Sequence, residues 1–365
     1  MTGRPPVRVG VIGTGWWSTF AHLPAFAANE RCRIAAVADV DLARLDSAAR
    51  HFGIDRTFAD PLELVSSGLV DAVAIATPHD SHARLATAAL EAGLHVLVEK
   101  PLALDARDAA ALAALARRVD RQLVVGYTFQ FTPAARRCRE IVRSGVLGEL
   151  VSISVLFGSV VESFLRGRPA DYADAFGYPL VSPLPSTYAD PRIAGGGQGQ
   201  TQATHAAAML FHVTGARAVE VSALVDTDGS EIELALSASF RLDDGAIGAL
   251  VSTGSLRPGQ PPQERLTYFG TNGFAVHDLA LGTLEVNGND GSVELIAASA
   301  DTDIYPLGAP ADTLVDLALG STANPAPPED AVAAVELIEA AYRSARTGSA
   351  VSIASLYGEA SAGAA

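Results

Sequence analysis

The stretch GVIGTGWWS, residues 10–18, decides how the fold is read. It ends an apolar, β-branched run, Val7–Gly13, and leads into a segment with helical spacing. Inside it lies the pattern Gly13-x-Gly15-x-x-Ser18. Glycine at 13 permits a tight turn, and glycine at 15 lets the backbone approach a pyrophosphate. Ser18, in place of a third glycine, is still small enough for close helix–strand packing. The helix N-terminus that follows offers free N–H groups and the positive end of its dipole to that pyrophosphate. Asp39 ends the next apolar run, 39 − 15 = 24 positions after Gly15. A carboxylate there accepts the adenosine ribose hydroxyls and repels a 2′-phosphate, so NAD is favoured over NADP. Arg44, one helical turn further on, is the nearest cation. The bland alternative is a structural glycine turn, with Asp39 merely capping a helix that begins near Leu42.

Outward from this fingerprint, short apolar runs recur at Ile34–Asp39, Asp71–Thr77, His95–Glu99 and Leu123–Tyr127. Ala/Leu-rich stretches with helical spacing lie between them, notably Ser81–Glu91 and Asp105–Arg118, with Pro61 placed for a first turn and Gly93 for a C-cap. Apolar strands alternating with helices predict a parallel sheet covered on both faces, an α/β Rossmann domain. From about residue 149 the pattern changes to successive alternating strands: Leu150–Phe157, Val219–Val225, Glu231–Arg241, Ala246–Ser255 and Arg265–Gly270. Turn signals join them at Asp228–Gly229, Asp244–Gly245 and Asn272–Gly273. This predicts an α+β domain with an open, mostly antiparallel sheet. A last amphipathic helix is expected at about Glu329–Arg346, ended by Gly348. The expected boundaries are 1–128 for the Rossmann domain and 129–348 for the second domain, whose last helix can pack back on the first. A terminal segment, 349–365, has an Ala/Ser/Gly end expected to be disordered. Residues 158–194 are rich in Pro, Tyr and Arg without periodicity, and so long a connection is expected to be functional.

Composition narrows the partners. A length of 365 residues fits two domains. With 49% apolar and 18% charged residues, the chain is neither disordered nor fibrous. The formal charge of −15 would repel phosphate backbones, which excludes nucleic acid as a bulk electrostatic partner. Cys32 and Cys138 cannot build a disulfide framework, and no Cys/His cluster suggests a metal. The opening MTGRPP runs straight into the first strand, and no apolar stretch is long enough to span a bilayer, so a soluble cytoplasmic protein is expected. Of the 26 basic residues only Lys100 is lysine; 26 − 1 = 25 are arginine. Codon drift toward arginine explains the absence of the others and singles out the one that remains.

That lysine stands in HVLVEKPLA, with Glu99-Lys100-Pro101 closing a strand. Three further stretches accompany it: ATPHDSHARLATAALEAG at residues 76–93, GGGQGQTQATHAAAMLFHVTG at 195–215 and AVELIEAAYRSARTG at 334–348. Together with the fingerprint, and over nearly the whole chain, these resemble the Gfo/Idh/MocA oxidoreductase family. The resemblance implies an NAD(P)-dependent enzyme acting on a sugar, polyol or related hydroxy compound, and homo-oligomerisation through the C-terminal sheet. It places the family's catalytic lysine on Lys100 and its catalytic histidine on His205. Two departures stand out. The family's aspartates fall on Thr201 and Ala208, and an arginine common before its FxP element is Gln130.

Oxidising a secondary alcohol needs a base for the hydroxyl proton and a hydride acceptor held beside it. Lys100, at the carboxyl end of a parallel strand, lies where open α/β sheets bind ligands. Burial can lower its pKa toward proton transfer, which arginine cannot perform. His205 has a suitable unperturbed pKa, and lacking a carboxylate at 201 it would take its orientation from Thr201 or Gln202. The expected cofactor contacts are Gly13, Gly15, Trp16, Trp17, Ser18, Asp39, Thr77, Pro78, His79, His82, Glu99 and Lys100. Expected substrate contacts, besides Lys100 and His205, are Gln130, Thr201, Gln202, Tyr178 and Arg166. Arg168, Tyr172 and Tyr188 offer further donors and flat surfaces, or an oligomer arm. His212 reads as core. Transient oxidation leading to glycoside cleavage, elimination or epimerisation, and a nucleotide-dependent regulator without catalysis, remain the alternatives to a dehydrogenase.

Overall fold

The computed structural model describes residues 5–299, 302–320 and 323–358; the end of the terminal segment lies outside them. Six strands form the first sheet: β1 (Val7–Ile12), β2 (Cys32–Ala38), β3 (Thr57–Phe58), β4 (Ala72–Ile75), β5 (His95–Val98) and β6 (Leu123–Val125). All pair in parallel, in the order β3-β2-β1-β4-β5-β6. Chain order reverses between β1 and β4, so a crevice opens at the carboxyl ends of those strands. β4 is buried along its whole length, as a strand covered on both faces must be. Helices Leu42–Phe52, Pro61–Ser66, His82–Glu91 and Ala106–Arg118 flank the sheet. Pro61 opens its helix, with Asp60 capping the Leu62 N–H, and Gly93 follows its helix at φ 80°.

A helix that sequence periodicity does not single out, Ala309–Ala318, returns from late in the chain to this sheet. Its Leu314 and Val315 share a core with Val9, Leu97 and Val124. The last helix, Pro328–Thr347, packs on Ala106–Arg118 as well as on the second sheet. The two sheets therefore share chain-distant cover.

The second sheet has nine strands: β7 (Leu150–Gly158), β8 (Ala218–Asp226), β9 (Ala235–Leu242), β10 (Ile247–Thr253), β11 (Gln263–Gly270), β12 (Gly273–Asp278), β13 (Thr283–Gly288), β14 (Val293–Ile296) and β15 (Val351–Ser352). Its order is β14-β13-β12-β11-β7-β10-β9-β8-β15, antiparallel except where β10 meets β7. One face packs on helices Pro133–Arg143, Thr204–Thr214 and Pro328–Thr347. The other leaves Leu156, Ile247, Val251 and Phe269 exposed among small residues, with Leu156 paired to Val251. The strand expected over Glu231–Arg241 begins only at Ala235. Its first residues turn away because Glu233 is drawn into the molecule by the glycine loop at 195–199.

Beyond Gly158, which ends β7, residues 159–194 add only an isolated bridge, Val160 to Ser255, and no further strand. They fold as short helices, Glu162–Leu165, Ala173–Phe176, Pro185–Ala189 and Pro191–Ala194, against the crevice. Among the described residues, no helix is long and apolar enough to cross a membrane.

Candidate functional site

The crevice at the β1/β4 switch is a cleft of about 450 Å³ walled by both halves of the chain. Its floor is the fingerprint. Gly13 has φ 89°, and a Cβ there would stand 2.4 Å from the Ala76 carbonyl oxygen, so only glycine makes this turn. A Cβ on Gly15 would meet nothing nearer than the Arg44 guanidinium at 3.8 Å, which leaves the backbone open to a ligand. The Asp39 carboxylate accepts from the Thr14 N–H at 2.6 Å, the Thr14 hydroxyl at 2.9 Å and the Asp41 N–H at 2.9 Å. The helix cap is Asp41, which accepts from Ala43 and Arg44. Asp39 is thus held at the cleft wall as a fixed acceptor. An open glycine backbone, a helix N-terminus and an anchored ribose-facing carboxylate fit NAD. Asp39→Ala should weaken NAD binding about tenfold or more, since hydrogen bonds to a charged group are worth about 1.5–3 kcal/mol, and should narrow the preference over NADP. Calorimetric titration with both nucleotides checks this.

At the end of β5, Glu99 points inward. Its Oε1 accepts from Trp17 Nε1 and His22 Nε2, each at 2.8 Å, and its Oε2 from the Lys100 N–H at 3.2 Å. Gly126 makes room for it: a Cβ there would stand 2.5 Å from Oε1. Burial alone would raise the Glu99 pKa, but His22, the Lys100 charge and Trp17 outweigh it and hold the carboxyl below its usual range. Lys100, half-buried and joined to Pro101 by a cis peptide, donates from Nζ to the Thr201 carbonyl at 2.7 Å. Burial lowers its pKa, opposed only by the Glu99 charge.

His205 comes to the same cleft from the other half of the chain, on a helix whose first turn, Gly199–Ala203, is π-helical. The Trp16-to-Ala28 helix has a similar turn at Ser18–His22, and such turns often mark functional sites. Tyr127 and Phe129 set their edges against the His205 ring at 5.7 and 5.8 Å, and Phe157 lies parallel to it at 6.2 Å. Its Nδ1 is buried without a partner. Burial and the Lys100 charge push its pKa well below 6.5, so the ring is neutral near pH 7. The expected orientation by Thr201 is not what the structure holds, because that hydroxyl donates to the Gly197 carbonyl at 2.7 Å. No hydrogen bond ties Gln202 to the ring. An aromatic box, rather than an acceptor, positions the imidazole.

Two more histidines sit beside the cleft. His79 Nδ1 donates to the Ala194 carbonyl at 3.0 Å, leaving Nε2 as an acceptor. Burial, with His82 and Lys100, takes its pKa down to about 3. His82 lies behind the cleft wall, its ring nitrogens facing the Pro101 and Thr77 carbonyls at 2.7 and 2.9 Å. Burial lowers its pKa, so the neutral ring donates to one of these two carbonyls.

Of the expected contacts, Gly13, Gly15, Trp16, Trp17, Asp39, Thr77, Pro78, His79, Glu99, Lys100, Thr201, Gln202 and His205 line the cleft. Ser18 does not; it is buried in helix–strand packing. Gln130 is also buried away from the cleft, and its amide donates to the Ala208 carbonyl at 3.2 Å. Arg166 is drawn off by Glu162, Asp228 and Ser230, and Arg168 by Asp171. Tyr178 stands behind Trp16, its hydroxyl donating to Pro169. His212 pairs with Asp330 in the core at 2.8 Å. Sequence reasoning missed His22, Glu233 and Tyr305. His22 lies one turn beyond the fingerprint and is buried against Glu99, a spacing that could have drawn attention. Glu233 accepts from Gly197 N, Gly199 N and the Tyr342 hydroxyl, locking the glycine loop that aims the His205 helix. A Cβ on Gly197 would stand 2.0 Å from the Glu233 carbonyl oxygen, so that glycine is there for close approach.

Comparison with known proteins places this geometry. Residues 7–127 match the oxidoreductase family with an NAD-binding Rossmann fold, and residues 135–276 the GFO/IDH/MocA C-terminal domain. An uncharacterized oxidoreductase of Synechocystis sp. is 34% identical over 42% of each chain. Inositol 2-dehydrogenase 1 of Saccharopolyspora erythraea is 37% identical over 40% of this chain and 44% of its own. The chain thus spans less than half the length of these two curated relatives. Among solved structures, GenD2 from gentamicin A biosynthesis in complex with NAD superposes with a TM-score of 0.76 at 26% identity, covering 96% of this chain and 97% of that one.

Proposed function

This chain belongs to the GFO/IDH/MocA oxidoreductase family, and from that premise we propose that it transfers a hydride between NAD and a secondary alcohol of a sugar or polyol. The observation that carries the reading is the meeting of Lys100 and His205 in one cleft with the Gly13–Gly15 floor and Asp39. Bound NAD supplies the hydride acceptor. Lys100, its pKa lowered by burial, exchanges the proton of the reacting hydroxyl. His205, neutral near pH 7, hydrogen-bonds that oxygen and fixes its approach. Glu99 accepts from the Lys100 backbone N–H, and its charge favours the ammonium form of the lysine. The test is the appearance of NADH absorbance with one member of a panel of hexoses, pentoses and inositols. Silence across the panel, with NAD demonstrably bound, would count against the reading.

The bared sheet face supports homo-oligomerisation. Leu156 and Val251 lie side by side on neighbouring strands, with Ile247 also exposed, and contiguous exposed apolar side chains of this kind mark interaction surfaces. Light scattering on the parent should give a multiple of the chain mass. Leu156→Arg with Val251→Arg should give the monomer mass.

A further inference from the structure

The helix that carries His205, Thr204–Thr214 with its π-helical first turn Gly199–Ala203, has no side-chain cap of its own. A helix N-terminus leaves its first N–H groups without partners inside the helix, and buried ones must find them elsewhere. Two residues from distant parts of the chain supply them here. The Glu233 carboxylate accepts from the Gly197 and Gly199 N–H groups, each at 2.8 Å, and the Glu233 carbonyl accepts from the Gln198 N–H at 3.0 Å. The Tyr342 hydroxyl, on the helix Pro328–Thr347, accepts from the Gln200 N–H at 3.0 Å and donates to Glu233 Oε1 at 2.6 Å. The fit is close: a Cβ on Gly199 would stand 2.5 Å from the Tyr342 hydroxyl. Four successive donors are thus held by Glu233 and Tyr342, with the carboxylate at the positive end of the helix dipole.

What this cap holds is the meeting of the two reacting side chains. The turn it starts carries Thr201, whose carbonyl accepts from Lys100 Nζ at 2.7 Å, and His205 follows four residues later. The Thr201 hydroxyl donates to the Gly197 carbonyl, so Thr201 is itself tied to the capped loop. Neither Glu233 nor Tyr342 lines the cleft. We propose that Glu233 and Tyr342 are positioning residues for the hydride-transfer reaction: capping this helix from outside, they fix the Thr201 carbonyl, and with it the Lys100 amine, relative to the His205 imidazole. This rests on the dehydrogenase reading for the chemistry, and on the hydrogen bonds alone for the placement of Lys100.

Tyr342→Phe is the discriminating variant. It keeps the ring and the Glu233 charge and removes only the oxygen that serves Gln200 and Glu233. NAD affinity should stay within about twofold, because the nucleotide contacts proposed for Gly13 and Asp39 are untouched, while kcat on any oxidised substrate should fall about tenfold to a hundredfold, the scale of a misplaced reacting group. Lys100 is the chain's one lysine, so reductive methylation with ¹³C-formaldehyde lets NMR read its titration without substrate. With the Thr201 carbonyl displaced, the ammonium loses an acceptor, and the curve should move down by about half a pH unit or more. Glu233→Gln replaces one acceptor oxygen with a donor; it should move both readings the same way, and it carries the test if Tyr342→Phe does not fold. Tyr357→Phe is the control. It removes a hydroxyl that donates to Glu336 on the same helix at 2.6 Å, outside the glycine loop, and should leave kcat and the lysine curve as they are. An unmoved lysine curve or parental kcat in folded Tyr342→Phe protein overturns the proposal, as does an equal shift in the control. If no compound of the sugar panel gives NADH, the dehydrogenase reading falls, and the lysine curve still decides whether the cap places Lys100.

Discussion

Replacing Lys100 with methionine is expected to lower turnover by about a thousandfold, within the 10²–10⁴ that a positioned proton-transfer group contributes, while NAD affinity stays within a few-fold. Methionine matches the length of the lysine stem but carries no proton. The nucleotide contacts proposed for Gly13, Gly15 and Asp39 are not touched by the substitution. The Thr201 carbonyl loses its donor, so melting temperature is measured alongside kcat to separate damage to the fold from loss of chemistry. Lys100→Arg is the sharper control. It keeps the positive charge and can still donate to Thr201, yet a guanidinium does not give up its proton in this pH range. Turnover as low as in the methionine variant shows that titration, rather than charge, is what the site uses. Near-parental turnover in either variant would remove Lys100 from the mechanism. For the parent, the proton-accepting amine forms as pH rises, so the rate of alcohol oxidation should climb with pH to an inflection below 10.5, the ordinary lysine value. His205, already neutral, should add no inflection near pH 6.5.

The sequence exposes this site unevenly, for physical reasons that can be named residue by residue. Gly13, Asp39 and Lys100 are legible because each answers a local demand: a turn with positive φ, a strand-end acceptor, a strand-end amine. Those demands leave fixed spacings along the chain. The parallel sheet is legible for the same reason, since strands buried on both faces must be apolar throughout. What the spacing does not carry is contact between distant segments. Glu233 sits in what reads as a continuous alternating strand, and only the approach of the 195–199 loop pulls it out of the sheet. Arg166 looks free to meet a sugar until Glu162, four residues earlier, and Asp228, from a distant turn, are found holding it. The helix Ala309–Ala318 buries its apolar side against a sheet made nearly two hundred positions earlier, which local periodicity cannot announce. His205 is the intermediate case. Its position in the chain marks it, but the aromatic box around it is assembled from Tyr127 and Phe129, in the segment after β6, and from Phe157 near the end of β7.

The pKa of Lys100 should itself be lowered by removing His22, a residue that reaches the lysine only through Glu99. Glu99 is the one charge that favours the ammonium form of Lys100, and burial opposes it. Glu99 keeps its own charge in a buried site because His22 and Trp17 donate to it. Without the imidazole the carboxyl pKa rises, and the support its charge lends to the ammonium weakens. Glu99→Gln should lower the lysine pKa outright, and His22→Leu should move it in the same direction. The chain's lack of any second lysine makes this directly measurable. Reductive methylation with ¹³C-formaldehyde gives a single side-chain dimethylamine resonance, whose shift against pH is the titration of Lys100, without need of a substrate. A purely structural role for His22 would lower the melting temperature but leave that titration in place, so an unmoved curve in a folded His22→Leu protein refutes the coupling. Stability should follow the same logic. Because the folded-state pKa of Lys100 lies below 10.5, the unfolded chain binds more protons between the two values, and stability rises with pH across that window. Glu99 acts at the other end: its folded-state pKa lies below the ordinary 4.5, so its contribution is present above that value and is lost as pH falls through the folded one. Glu99→Gln should therefore flatten the acid limb of the parent's stability profile while deepening the depression of the lysine. No loss of hydrogen bonds alone would produce that pair of opposite changes.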